Sequence, residues 1–145
     1  MKILFLHGLE SRPGGSKVQY LQSLGHVVLN PLLPKEDFEE SVRIAQEYAD
    51  NEGPSVIVGS SRGAAVAMSV TPKGARMILI APAWRKFDVP PTVPKGTIIL
   101  HCATDIIVPY EDSSSLGSDV ISCGTNHRMH DEDALKALGQ AVGGN

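Results

Sequence analysis

Residues 56–68 read Val56-Ile57-Val58-Gly59-Ser60-Ser61-Arg62-Gly63-Ala64-Ala65-Val66-Ala67-Met68. The β-branched run predicts a buried strand, and the alanine-rich run predicts a helix. Only a Gly-x-Ser-x-Gly turn separates them, with Ser61 at its centre. A serine on such a bend sits in strained backbone. Its hydroxyl is raised above the strand end, beside the N–H groups of a helix start. Gly59 and Gly63 flank it because side chains there would collide where the chain doubles back. The alanines let the helix lie close to the sheet. A plain glycine-rich turn, with Ser61 only capping the helix, reads the same over these five residues.

Outward from this turn, further apolar runs lie at Ile3–Leu6, His26–Leu29, Met77–Ile80, Thr97–Leu100 and Asp119–Ser122. Those at 3–6, 56–58, 77–80 and 97–100 are continuous rather than alternating. That pattern suits strands covered on both faces of a parallel sheet. Between the runs, spacing and end signals predict helices over Gly15–Leu24, Lys35–Asn51, Ser61–Val70, Pro109–Leu116 and Asp131–Val142, with a Gly-Gly fray after the last. Residues 81–96 hold Pro82, Pro90, Pro91 and Pro94, which exclude a long regular helix. A loop with one helical turn near Trp84–Asp88 is expected there. Repeated strand–helix–strand units predict an α/β fold. The expected sheet has six parallel strands in the order 2-1-3-4-5-6, with helices on both faces.

A chain of 145 residues is expected to form one domain, residues 1–145. Thirteen basic against sixteen acidic residues give a net charge of −3, which points to no nucleic-acid or anionic-membrane partner. The apolar run after Met1-Lys2 is too short for a signal peptide, and no run approaches the ~20 residues of a membrane span. A cytoplasmic protein is expected. Cys102 and Cys123 form no Cys-x-x-Cys pair. Two buried thiols in a reducing compartment are expected, with a bridge between neighbouring strand ends as the alternative. No residue pattern implies a metal or cofactor, and monomer and homodimer both stay open.

A reactive serine needs a base, and the base needs an acid to orient it. On a sheet of this kind the order is Ser, then Asp or Glu, then His, each in a loop at the carboxyl end of a strand. Asp105 follows the fifth strand among apolar neighbours and is the expected acid. Glu111, Asp112 and Asp119 are weaker alternatives. His127 follows the sixth strand and is the expected base, with His130 the competitor three residues later. His7, His26 and His101 fit less well, because they precede or adjoin earlier strands. The oxyanion needs two N–H donors. Arg62 N–H is one, and Leu9 N–H is the other, from the loop His7-Gly8-Leu9-Glu10. His7 is expected to shape that loop rather than move protons.

These residues resemble the α/β-hydrolase superfamily over nearly the whole chain. The likeness lies in Leu6-His7-Gly8-Leu9, Gly59-Ser60-Ser61-Arg62-Gly63, Asp105 within His-x-x-x-Asp-x-x-Val-Pro, and His127. The His-Gly-x-x-Ser-x-Pro opening and the Gly-Ser-Ser-x-Gly turn resemble small lidless bacterial esterases of the YqiA type. The resemblance implies Ser61 as nucleophile, Asp105 as acid and His127 as base. It implies no metal, and a small acyl ester or thioester as substrate. The chain departs from larger members in its length and in starting at what would be their third strand. Only residues 81–96 stand where many carry a lid, and Cys102 stands where many have glycine.

The expected function is therefore hydrolysis of short-chain carboxylic esters. Peptide or amide hydrolysis by the same residues stays open. A second reading is a binding protein on a hydrolase scaffold, docking a partner through an exposed surface around Trp84 and Phe87. Arg62 and Arg12 read as solvated or ion-paired surface arginines, with a role in favouring an acidic substrate as the alternative.

Overall fold

The computed structural model describes residues 1–9 and 11–143. Glu10, and Gly144 of the expected terminal fray, lie outside the described residues. The strands are β1 (Lys2–Leu6), β2 (Val27–Leu29), β3 (Val56–Ser60), β4 (Arg76–Ile80), β5 (Ile98–His101) and β6 (Asp119–Ser122). They form one sheet in the order β2-β1-β3-β4-β5-β6, and every neighbouring pair is parallel. The topology is the expected one. The helices are α1 (Ser16–Ser23), α2 (Phe38–Glu52), α3 (Arg62–Met68), α4 (Glu111–Ser114) and α5 (Glu132–Gly143).

Alternation along each inner strand divides the core in two. Ile3, Phe5, Val56, Val58, Ile78 and Ile80 pack with Val18 and Leu21 of α1 and Leu138 and Val142 of α5. Leu4, Leu6, Ile57, Leu79 and Ile99 pack with Ala45 and Ala49 of α2 and the alanines of α3. Both faces of the inner strands are thus covered, which is why their sequences are apolar throughout. The outer strands β2 and β6 are only partly buried; β6 (Asp119–Ser122) mixes polar and apolar residues, whereas β2 is the short apolar run Val27–Leu29.

Local signals set the helix ends. Asp37 caps α2 by accepting from Glu40 N–H at 3.0 Å, and Gly53 ends it in the left-handed conformation. α4 is shorter than the expected Pro109–Leu116. Ser114 and Ser115 hydroxyls bond back to the carbonyls of Glu111 and Asp112 at 3.2 Å, which competes with regular helix. Residues 81–96 hold a single 3₁₀ turn over Trp84–Phe87, as the prolines require.

Candidate active site

Ser61 stands at the junction of β3 and α3 with φ 56° and ψ −114°. This is strained backbone for a residue with a side chain. It is held there from several sides. Ser61 N–H donates to Ile80 O at 2.8 Å, and Ser61 O accepts from Ala64, Ala65 and Ala83 N–H. The flanking glycines are sterically required. A Cβ on Gly59 would stand 2.7 Å from Ala64 Cα, and one on Gly63 would stand 2.6 Å from His7 O.

The loop after β1 packs directly on this bend. A Cβ on Gly8 would lie 3.3 Å from Ser60 O and 3.5 Å from Ser61 Cβ, so Gly8 runs beside the serine. His7 shapes this loop. Its Nδ1–H donates to Gly8 O at 2.9 Å, and its Nε2 accepts from Leu33 N–H at 3.0 Å. Arg62 opens α3, so its backbone N–H has no carbonyl one turn earlier to bond.

Ser61 Oγ lies 3.0 Å from His127 Nε2, and His127 Nδ1 lies 2.7 Å from Asp105 Oδ2. The carboxylate only accepts, so Nδ1 carries the hydrogen and Nε2 is left to accept from the serine hydroxyl. The Asp105 side chain is fully buried, while that of His127 is 19% exposed. Burial alone would push the Asp105 carboxyl up. Hydrogen bonds from Val108 N–H, His127 and Ile107 N–H outweigh it and hold the group below its usual range.

The His127 loop is braced at both ends. Gly124 N–H donates to Asp133 and Thr125 N–H to Asp131, at the start of α5. Lys17 Nζ donates to Arg128 O at 2.6 Å. Burial, and then the nearby Arg128 cation, lower the Lys17 ammonium pKa to about 8. Among the described residues, no group of three or more His, Cys, Asp or Glu side chains is placed to hold a metal ion.

The fold has known counterparts among solved structures. No protein-family model matches the chain, and no curated protein matches it. Solved structures do. Mouse alpha/beta hydrolase domain-containing protein 10 aligns with a TM-score of 0.78 at 19% identity, over 99% of this chain and 88% of that one. A lidless α/β serine hydrolase from Xanthomonas campestris aligns at 0.71 and 18% identity, over 99% of this chain and 79% of that one. The esterase domain of a Rhodothermus marinus protein aligns at 0.68 and 18%, over 99% and 84%.

The chain has the α/β-hydrolase fold.

Within this α/β-hydrolase fold, Ser61, His127 and Asp105 are brought together, and the competing residues are not. His130 is exposed and makes none of these bonds. Asp112 pairs instead with Arg85 at 3.1 Å. Glu111 lies on α4, and Asp119 starts an outer strand.

Two expectations are corrected. Arg62 is no surface residue: it is 1% exposed. Its guanidinium lies 5.6 Å from the Phe38 ring centroid and 5.7 Å from that of Phe87, and Nη2 donates to Pro34 O and Ser41 Oγ. The stacked aromatic pair and two polar acceptors bury it between α3 and the segment leading into α2. Likewise, Trp84 and Phe87 form no exposed aromatic pair, because Phe87 is only partly exposed. Trp84 is buried, with Nε1–H on Asp112 O at 2.7 Å, and Phe87 stacks on Phe38 at 5.3 Å.

One further side chain contacts the array. His101 is fully buried directly behind Asp105, with Nε2 3.1 Å from Oδ2. The visible signal was its spacing, four residues before Asp105 at the end of β5.

Proposed function

We propose that this protein is a serine hydrolase cleaving short-chain carboxylic esters or thioesters through an acyl-enzyme intermediate. The observation that carries the reading is one continuous chain of hydrogen bonds. It runs from Ser61 Oγ to His127 Nε2 at 3.0 Å, and from His127 Nδ1 to Asp105 Oδ2 at 2.7 Å. Ser61 Oγ attacks the acyl carbonyl as His127 takes its proton. Asp105 keeps Nδ1–H in place and stabilises the imidazolium that forms. Leu9 and Arg62 N–H groups receive the oxyanion. Its collapse expels the alcohol or thiol, which collects the proton from His127. Water, activated by the same imidazole, then releases the acid and restores Ser61.

The site's openness supports small substrates. Leu9, Ile106 and Ile107, on the loops beside the array, are 38%, 93% and 50% exposed. Such a surface grips an acyl chain weakly, so modest selectivity and a high KM follow. Among structures of the same fold, the Rhodothermus marinus protein is described as an esterase domain and the Xanthomonas campestris protein as lidless. Two free, buried thiols suit the cytoplasm.

Turnover of p-nitrophenyl acetate and butyrate tests the proposal. Ser61→Ala is expected to lower kcat by roughly 10⁴-fold or more, the scale of triad knockouts elsewhere. Equal rates for variant and parent would reject it.

A further inference from the structure

We propose that His101 is a positioning residue: its Nε2–H pins the Asp105 carboxylate so that Oδ2 stays aligned with His127. The inference rests on reading Ser61, His127 and Asp105 as a working array, and adds a fourth side chain that never touches substrate.

The hydrogen-bond geometry fixes the tautomer. His101 Nε2 lies 3.1 Å from Asp105 Oδ2 and 3.0 Å from Val108 O. Both are acceptors only, so Nε2 must carry a hydrogen. Nδ1 lies 2.6 Å from Ser113 Oγ and, in the neutral ring, accepts its hydrogen. Burial pushes the imidazolium pKa down, partly offset by the bonds to Val108 O and Asp105. A neutral ring with its Nε2–H committed cannot serve as the base for Ser61. What it can do is hold the carboxylate.

The Asp105 carboxylate needs holding at both oxygens. Oδ1 accepts Ile107 and Val108 N–H at 2.7 and 2.8 Å, so it is fixed by its own loop. Oδ2 is shared between His127 and His101. His127 changes charge during the reaction, whereas His101 does not. The second donor therefore keeps Oδ2 in place through the step in which its other partner gains and loses a proton. It also anchors Val108 O, and through Ser113 it ties the Asp105 loop to α4. Misplacing an orienting group by about 1 Å can cost on the order of 100-fold in rate.

The test compares His101→Phe, which keeps the ring volume and removes the donor, with His101→Gln, whose amide N–H reaches toward the place of Nε2. Readouts are kcat and KM on p-nitrophenyl butyrate, the thermal midpoint, and the NMR resonance of the His127 Nδ1 proton. His101→Phe is expected to lower kcat roughly 10- to 100-fold with KM nearly unchanged, and to shift or abolish that resonance. His101→Gln is expected to recover most of kcat and the resonance at a similar thermal midpoint. A folded His101→Phe with parental kcat and parental resonance would overturn the proposal. So would a folded His101→Gln that is as slow as His101→Phe. If His101→Phe does not fold, His101→Gln decides alone: near-parental kcat and resonance support the proposal, and a loss beyond tenfold overturns it. A parent without Ser61-dependent turnover would instead refute the hydrolase reading, and the resonance would still judge His101.

Discussion

The backbone N–H of Ser61 donates to the carbonyl of Ile80 at 2.8 Å, which ties the bend after β3 to the end of β4. This bond helps hold Ser61 at a φ of 56°, in a region that side chains disfavour. The strain should be visible in stability. Ser61→Gly is expected to be more stable than Ser61→Ala by about 1–3 kcal/mol, because glycine adopts this backbone without penalty. Both variants should lack esterase activity. Chemical denaturation of the pair checks the difference, and equal stabilities would mean that the bend stores no strain.

His127→Ala is expected to depress kcat nearly as far as Ser61→Ala, since members of such an array act as a unit. His130→Ala is expected to keep the parental rate, because His130 is exposed and outside the array. Steady-state kinetics on p-nitrophenyl butyrate checks both. The reverse outcome would make His130 the base.

Arg62 is expected to matter through packing and not through charge. Its Nε has no hydrogen-bond partner, and burial pushes the pKa of the guanidinium down. Exchanging a buried charge for a well-packed apolar chain is often neutral. Arg62→Met should therefore stay within about 1 kcal/mol of the parent and keep kcat within a few-fold. Arg62→Ala should lose roughly 2–4 kcal/mol through the cavity it leaves. Neither should change preference between neutral and acidic esters. A selective loss on acidic esters in Arg62→Met would show that the cation reaches substrate.

Stability should fall with acid in two stages. The His101 pKa is lowered from 6.5, so the unfolded chain binds its proton first. Its contribution is present above pH 6.5 and is lost as pH falls toward the folded value. The Asp105 pKa is lowered from 3.8, so its contribution is present above that pH and is lost as pH falls through the folded value. Thermal midpoints measured from pH 8 to pH 3 should show both stages. His101→Gln should flatten the first stage and leave the second.

The sheet was legible because its inner strands are covered on both faces. Ile3–Leu6, Val56–Val58 and Met77–Ile80 had nowhere to place a polar residue. The array was legible because three loops at one sheet edge each supply one reactive residue type in a fixed order. Arg62 was not legible. Its partners Pro34, Ser41, Phe38 and Phe87 come from two distant segments, and only tertiary structure assembles them. The same holds for His101. Its spacing to Asp105 was in view, but Ser113, which receives no mention from local pattern, reaches its ring only across the β5–α4 connection. α4 is shorter than its sequence suggests because the serines that end it act through side-chain bonds that periodicity does not report.

The most direct measurement is labelling of the folded protein with a fluorophosphonate, followed by peptide mapping. Such a reagent phosphonylates a serine only when a neighbouring base activates it. An activated Ser61 predicts stoichiometric modification at that residue in the parent and almost none in His127→Ala. Folded parent protein that remains unmodified at Ser61 would contradict it.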